Sequence, residues 1–195
     1  LRAYVLSPRL GQISADLLDV PAVRLYHDNV LAKQAGCGRT PWHFDDHHFP
    51  LDTNDVVTAW VPAQPIPLEM GPLTFAYPLD VHELVNAVTF EKTGTGYDRG
   101  VSDVFSKNNV SVNETPFELG EVSFHHNLNF HTASSNRTNR SRVALANTYY
   151  RDGARVVNAP TMVSGDWQKF MPNVKPGDVA ASPLNPICWP VKDKS

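Results

Sequence analysis

Apolar residues recur along this chain at two spacings, one helical and one strand-like. Between residues 8 and 19, Leu10, Ile13, Leu17 and Leu18 follow Pro8 at helical spacing, which predicts a short amphipathic helix ended by Val20-Pro21. From 22 to 34 the pattern becomes a strand-like run with Val23, Leu25, Tyr26, Val30 and Leu31, and Gly36-Cys37-Gly38 then makes a turn. Residues 55–61 form a strand rich in β-branched side chains, closed by Pro62, Pro65 and Pro67, and Gly71-Pro72 opens another at Leu73. Strand character returns at 118–125 and 143–151, with 127–131 as a short crossing, and 154–157 and 177–181 are the last candidates. Short strands, frequent turns and no βαβ rhythm point to a sandwich or barrel. The segment 80–118 stands apart. Val81, Leu84, Val85 and Val88 suit a helix, but 92–113 is rich in Gly, Thr, Ser and Asn and reads as a long loop. Such an insert is either a lid or substrate loop or a plain surface excursion.

Composition narrows the picture. The 195 residues suffice for a single domain with a sizeable core, and 42% hydrophobic against 19% charged residues describes a globular chain. A net charge of −3 with no basic run argues against nucleic-acid or membrane partners and leaves small molecules. No apolar run approaches the ~18 residues of a membrane span. Cys37 and Cys188 make no disulfide framework, so a reducing cytoplasmic (intracellular) compartment is the default expectation. The chain starts at Leu1, directly in helix-like sequence, and reads as an N-terminally incomplete piece of a longer protein whose targeting signals lie outside it. The Asn-x-Ser/Thr matches at Asn109, Asn113, Asn136 and Asn139 read as chance occurrences in Asn-rich loops. Nothing in the sequence sets an oligomeric state.

Candidate chemistry concentrates in the stretch from Thr40 to Pro50, where His43, Asp45, Asp46, His47 and His48 crowd together. On extended backbone, residues two apart share a face, so His43 and Asp45 could both reach one borderline divalent metal. A second histidine would complete the set of two imidazoles and one carboxylate that leaves open positions on non-haem Fe(II). His131 is the best third ligand, since strands distant in sequence can meet at one mouth of a barrel. Arg142 lies eleven residues further on, at the start of a long strand. A return strand would bring its planar fork, matched to a carboxylate, beside the metal; a surface salt bridge is its other reading. Arg137 and Arg140 fall in the intervening turn. Neighbours on a strand alternate, so of His47 and His48 one could point to the pocket and one outward, with packing or surface exposure the more common fate of such a residue; His125 and His126 are expected to brace strands. Trp42 is either site wall or core.

Several stretches together carry a resemblance. These are Arg24-Leu25-Tyr26-His27-Asp28, Thr40-Pro41-Trp42-His43-Phe44-Asp45, Ala59-Trp60-Val61-Pro62 and Met70-Gly71-Pro72-Leu73-Thr74-Phe75. Phe124-His125-His126, His131 to Asn136, Arg142 and the tail from Lys175-Pro176-Gly177-Asp178 to Pro186 complete the set. The chain resembles the phytanoyl-CoA dioxygenase family of Fe(II)/2-oxoglutarate-dependent oxygenases over nearly its whole length except 80–118. The resemblance implies a mainly β fold, a double-stranded β-helix (jelly-roll, cupin-like) with a few flanking helices. It makes His43, Asp45 and His131 the iron ligands and Arg142 the holder of the 2-oxoglutarate side-chain carboxylate. It sets Trp60 within a residue of a cofactor-lining tryptophan, and Leu25, His27 and Lys33 on a strand that lines the same pocket. The activity implied is hydroxylation of a small organic substrate with Fe(II), 2-oxoglutarate and molecular oxygen, giving succinate and carbon dioxide. Related halogenases carry a small residue in place of the carboxylate ligand, so Asp45 favours hydroxylation. No basic cluster suits a CoA diphosphate. Two rivals use the same residues: a Zn(II) hydrolase with Glu69 or Asp46 as base, and a non-catalytic β-helix that binds or supports.

Overall fold

Helices Arg2–Val5 (α1) and Pro8–Leu18 (α2) lead into the first long strand, Val23–Lys33 (β1). The start of α2 follows from local chemistry: Ser7 Oγ accepts the Leu10 N–H, and Pro8 occupies the first turn, where no donor is needed. Then follow Thr40–His43 (β2), Val56–Pro62 (β3), Leu73–Tyr77 (β4), Val81–Leu84 (α3), Gly96–Lys107 (α4) and Ser111–Glu114 (β5). Ser123–His126 (β6), His131–Ala133 (β7), Arg142–Arg151 (β8) and Ile187–Trp189 (β9) complete the chain. The computed structural model describes residues 1–89 and 95–191. No helix among them is long and apolar enough to cross a membrane.

The strands form two antiparallel sheets, β6-β3-β8-β1-β9 and β2-β7-β4-β5, the two faces of a double-stranded β-helix. Strand alternation gives the larger sheet two apolar faces. Val57, Ala59, Leu145 and Tyr149 pack outward against Val5, Leu10 and Ala15 of the N-terminal helices. Gly11 permits the close approach of α2 to β9, because a Cβ there would lie 2.7 Å from the Cys188 carbonyl oxygen. Trp60, Ala144 and Ala146 face inward and meet Leu73 and Ala133 of the smaller sheet.

One irregularity in β1 decides which residues look into the barrel. Leu25 pairs with Tyr149 and His27 with Thr148, so Tyr26 is an extra residue, a bulge. A one-residue slip exchanges the faces of a strand. Before the bulge Leu25 packs outward with Tyr149; beyond it His27, Asn29, Leu31 and Lys33 face inward beside Thr148, Ala146 and Arg142. Leu25 and Lys33 have the same parity in sequence and opposite faces in the fold.

The expected loop over 92–113 is corrected from residue 95 onward; 92–94 lie outside the described residues. Residues Gly96–Lys107 are helical, and Tyr97, Val101 and Phe105 bury one stripe against Trp42, Ala76 and Phe130. Their i, i+4, i+8 spacing is an amphipathic signal that the Gly- and Ser-rich composition masks. Ser111–Glu114 then pairs with β4. The strand expected at 118–125 is confined to Ser123–His126, because Gly120 at φ +98° and the Glu118 N–H donating to the Glu121 carboxylate make a turn first. Segments 154–157 and 177–181 meet in a single bridge, Arg155 to Val179. Asn136 is buried and donates to the carbonyls of Lys33, Gln34 and Arg140, tying the end of β1 to the loop before β8.

Candidate metal centre

His43 ends β2 and stands directly opposite His131 at the start of β7, with ring centroids 4.1 Å apart. Each ring is turned by a backbone carbonyl two residues before it. His43 Nδ1 lies 2.8 Å from Pro41 O and His131 Nδ1 3.0 Å from Asn129 O. Carbonyls only accept, so each Nδ1 carries the proton and each Nε2 is a bare donor atom. Asp45 does not reach the pair by strand alternation, as its spacing suggested. β2 stops at His43, and Asp45 has a helical backbone (φ −88°, ψ −16°) at the start of a short 3-10 turn. That turn is pinned from β6's end: the N–H groups of Asp45 and Asp46 donate to Asn127 O at 2.8 and 3.1 Å, and Asn127 Nδ2 donates to Asp46 Oδ1 at 2.8 Å. Asp45 Oδ1 then lies 3.9 Å from both His43 Nε2 and His131 Nε2. The three donor atoms fall within 4.8 Å of one another, the one such cluster among the described residues.

Electrostatics prepare these groups for a cation. Burial pushes the imidazoles of His43 and His131 down to about 4, their mutual proximity adding to the effect for His43 and Asp45 opposing it, so both are neutral at pH 7. Burial opposes ionisation of Asp45, but His131, His125 and His43 outweigh it and hold the carboxyl well below the usual range. Two lone-pair nitrogens and one carboxylate oxygen, with no counter-charge between them, fit a borderline divalent ion with open positions.

The second half of the site is cationic. Lys33 and Arg142 are register partners on β1 and β8, and both are buried. Arg142 Nη1 donates to Gly71 O at 2.7 Å, its guanidinium lies 5.3 Å from the Trp60 ring centroid, and its Nε is buried without a partner. Lys33 Nζ donates to Thr40 Oγ1 and Ala133 O, each at 3.2 Å. Burial lowers the pKa of both, and for Lys33 the neighbouring Arg142 adds to it. Among the described residues no carboxylate pairs with either, so this pocket of positive charge suits an incoming anion.

A cavity of about 800 Å³ joins the two halves. Lys33, Trp60, Leu73, Ala133, Arg142 and Ala146 line one part; Tyr26, His27, Phe49 and Phe170 wall the other. His48 faces in and His47 turns away to lie against Phe44, the ring centroids 4.2 Å apart and the planes tilted by 52°. Thus His43, Asp45, His131, Arg142, Trp60, His27 and Lys33 are brought together. Leu25 is not, for the bulge turns it to the outer core. Trp42 belongs to the core beneath α4. His125 was expected only to brace a strand. It is buried on the cavity side of β6, opposite Thr58, with Nε2 3.6 Å from Asp45 Oδ2. The sequence signal for it would have been the pairing of β6 with β3, which no local pattern reveals.

Solved structures share this architecture. The non-heme alpha ketoglutarate dependent carbocyclase SnoK from nogalamycin biosynthesis superposes with a TM-score of 0.75 at 24% identity, covering 95% of this chain and 70% of that one. The epimerase SnoN, solved with Fe3+, alpha ketoglutarate and nogalamycin RO, gives 0.74 at 22% identity, covering 96% and 73%. EctD from S. alaskensis, solved with 2-oxoglutarate and 5-hydroxyectoine, gives 0.66 at 15% identity, covering 94% and 64%. At these identities the likeness speaks to the fold. No curated protein matches the chain significantly in sequence. The profile described as phytanoyl-CoA dioxygenase (PhyH) matches residues 1–144, most of the chain, and the protein belongs to that family of Fe(II)/2-oxoglutarate-dependent oxygenases.

Proposed function

We propose that this protein is a dioxygenase that hydroxylates a small organic substrate, with His43, Asp45 and His131 holding Fe(II) and Arg142 holding 2-oxoglutarate. The observation that carries this reading is a buried guanidinium, Arg142, with no carboxylate partner among the described residues and its Nε unpaired, in the same cavity as three convergent metal-type donors. Bound there, Fe(II) with 2-oxoglutarate supplies oxygen activation coupled to release of succinate and carbon dioxide. The chain's own residues bind and orient. Arg142 offers its fork to the distal carboxylate, Lys33 adds a second positive charge, and the Trp60 face supports the guanidinium. Leu73, Ala133 and Ala146 keep that part of the cavity dry.

Tyr26, His27, Phe49 and Phe170 form the opposite wall, with Tyr26 and Phe49 rings 4.9 Å apart and His27 and Phe170 4.8 Å apart. Besides Lys33 and Arg142, one further Lys or Arg among the described residues lines the cavity, Arg39, and it is paired with Asp98, which favours an uncharged, largely apolar substrate over a CoA thioester. The hydrolase alternative lacks the carboxylate base it calls for: Asp45 is the one carboxylate among the described residues lining the cavity, Asp46 is engaged by Asn127, and Glu69 is not among the lining residues. The test is succinate formation from 2-oxoglutarate with Fe(II) and oxygen, abolished by chelation, followed by a substrate screen in which the product gains one oxygen atom. A product that is epimerised or cyclised without gaining oxygen would retain the cofactors and replace hydroxylation. Absence of succinate under every metal condition would end the oxygenase reading.

A further inference from the structure

Three histidines surround Asp45, and their outer nitrogens divide them into two kinds. In His43 and His131 the Nδ1 atoms face backbone carbonyls, which leaves Nε2 bare toward Asp45 Oδ1. In His125 the Nδ1 is buried and has no hydrogen-bond partner. A buried N–H without an acceptor is costly, and Nδ1 has none, so a single ring proton on His125 belongs on Nε2, the nitrogen that faces a carboxylate. His125 Nε2 lies 3.6 Å from Asp45 Oδ2, while Oδ1 lies 3.9 Å from each of the two bare nitrogens. The ring is held in place: it is buried, centred 4.6 Å from the His131 ring and 5.5 Å from Phe75, on a strand registered to Thr58.

We propose that His125 is a positioning residue that donates its Nε2–H to Asp45 Oδ2 and so restricts Asp45 to a single metal-facing oxygen, Oδ1. The 3.6 Å separation closes to a hydrogen bond as the carboxylate is drawn to a cation, a tightening common at sites that are loose when empty. With Oδ2 engaged, Asp45 cannot chelate through both oxygens, and one more position stays open for small ligands. The proposal rests on the metal-centre reading above, and its tests separate the two.

The first test uses the unaltered, metal-free protein. Long-range nitrogen–proton correlation NMR of ring-labelled histidines is expected to show the Nε2–H tautomer for His125 and the Nδ1–H tautomer for His43 and His131. A Nδ1–H tautomer at His125 overturns the proposal, whatever the metal does. The second test titrates Co(II). His125→Phe, which keeps a ring and removes the donor, is expected to lose about 10–100-fold in affinity and to change the visible Co(II) spectrum. His125→Gln, whose amide N–H can replace the donor, is expected to recover most of both. Equal Co(II) affinity and spectrum in His125→Phe and the parent, or equal losses in both variants at unchanged thermal stability, would overturn it. A parent protein that binds no Co(II) overturns the metal-centre reading itself.

Discussion

Arg142 shows how a single side chain changes what a site can be. Its guanidinium is buried beside Trp60, tied by one bond to Gly71 O and left with Nε unpaired. Hydrogen bonds to a charged partner are worth about 1.5–3 kcal/mol, so Arg142→Ala should raise the KM for 2-oxoglutarate by about 10–100-fold. Succinate formation against 2-oxoglutarate concentration checks this, and a parent-like KM would remove Arg142 from the site. Gly71 supports the same group through its backbone. It has φ +72°, and a Cβ there would come within 2.2 Å of Ser134 O. Gly71→Ala should therefore cost about 2 kcal/mol or more from backbone strain and the steric clash, read as a lower urea midpoint, and should weaken 2-oxoglutarate binding as Arg142 loses its carbonyl.

At the level of elements, α4 and the β1 bulge were read differently from the chain and from the fold. The stripe Tyr97, Val101 and Phe105 was present in the sequence but diluted by Gly96, Gly100, Ser102 and Ser106. Helix propensity there is poor, and burial against Trp42 and Phe130 supplies the stability instead. Asp98 fastens the same helix to β2, accepting from the Trp42 N–H at 2.8 Å and from Arg39 at 2.7 Å. Phe105→Ala should cost about 3–5 kcal/mol, the usual range for emptying a buried aromatic site. It should also raise hydrogen exchange in Thr40–His43, the strand that α4 covers; exchange confined to α4 would show that β2 is held by its sheet partners alone. The bulge at Tyr26 left no such trace. β1 reads as a continuous strand, and only its pairing with β8 shows that Leu25 and Lys33 look in opposite directions.

The whole molecule responds to pH through its metal-type cluster. His43 and His131 have folded-state values near 4, below the ordinary 6.5. Between those values the unfolded chain binds more protons than the folded one, so stability is full above about pH 6.5 and falls as the pH drops toward 4. Asp45, also depressed, extends the loss to lower pH. Urea midpoints of metal-free protein should therefore decline from pH 7 to pH 4.5. Co(II) should raise the midpoint at pH 7, because an ion that binds only the folded state stabilises it by mass action, and less so at pH 4.5, where protons compete for the imidazoles. A flat pH profile without metal would contradict the lowered pKa values of the two histidines.

The chain by itself determined the class of fold and the chemistry it can host. Alternating short strands, turn residues and the residue types at His43, Asp45, His131 and Arg142 are local properties, legible wherever strand period and donor chemistry are legible. Only the tertiary structure decided where each side chain points. Asp45 reaches the cluster through a turn pinned by Asn127 rather than along its strand, and His125 arrives beside it on a strand paired through β3. The bulge at Tyr26 sends Lys33 inward and Leu25 outward. In each case the deciding interaction joins residues far apart in sequence. A register shift of one residue reverses a face without altering the local pattern, so it stays invisible until the strands are paired.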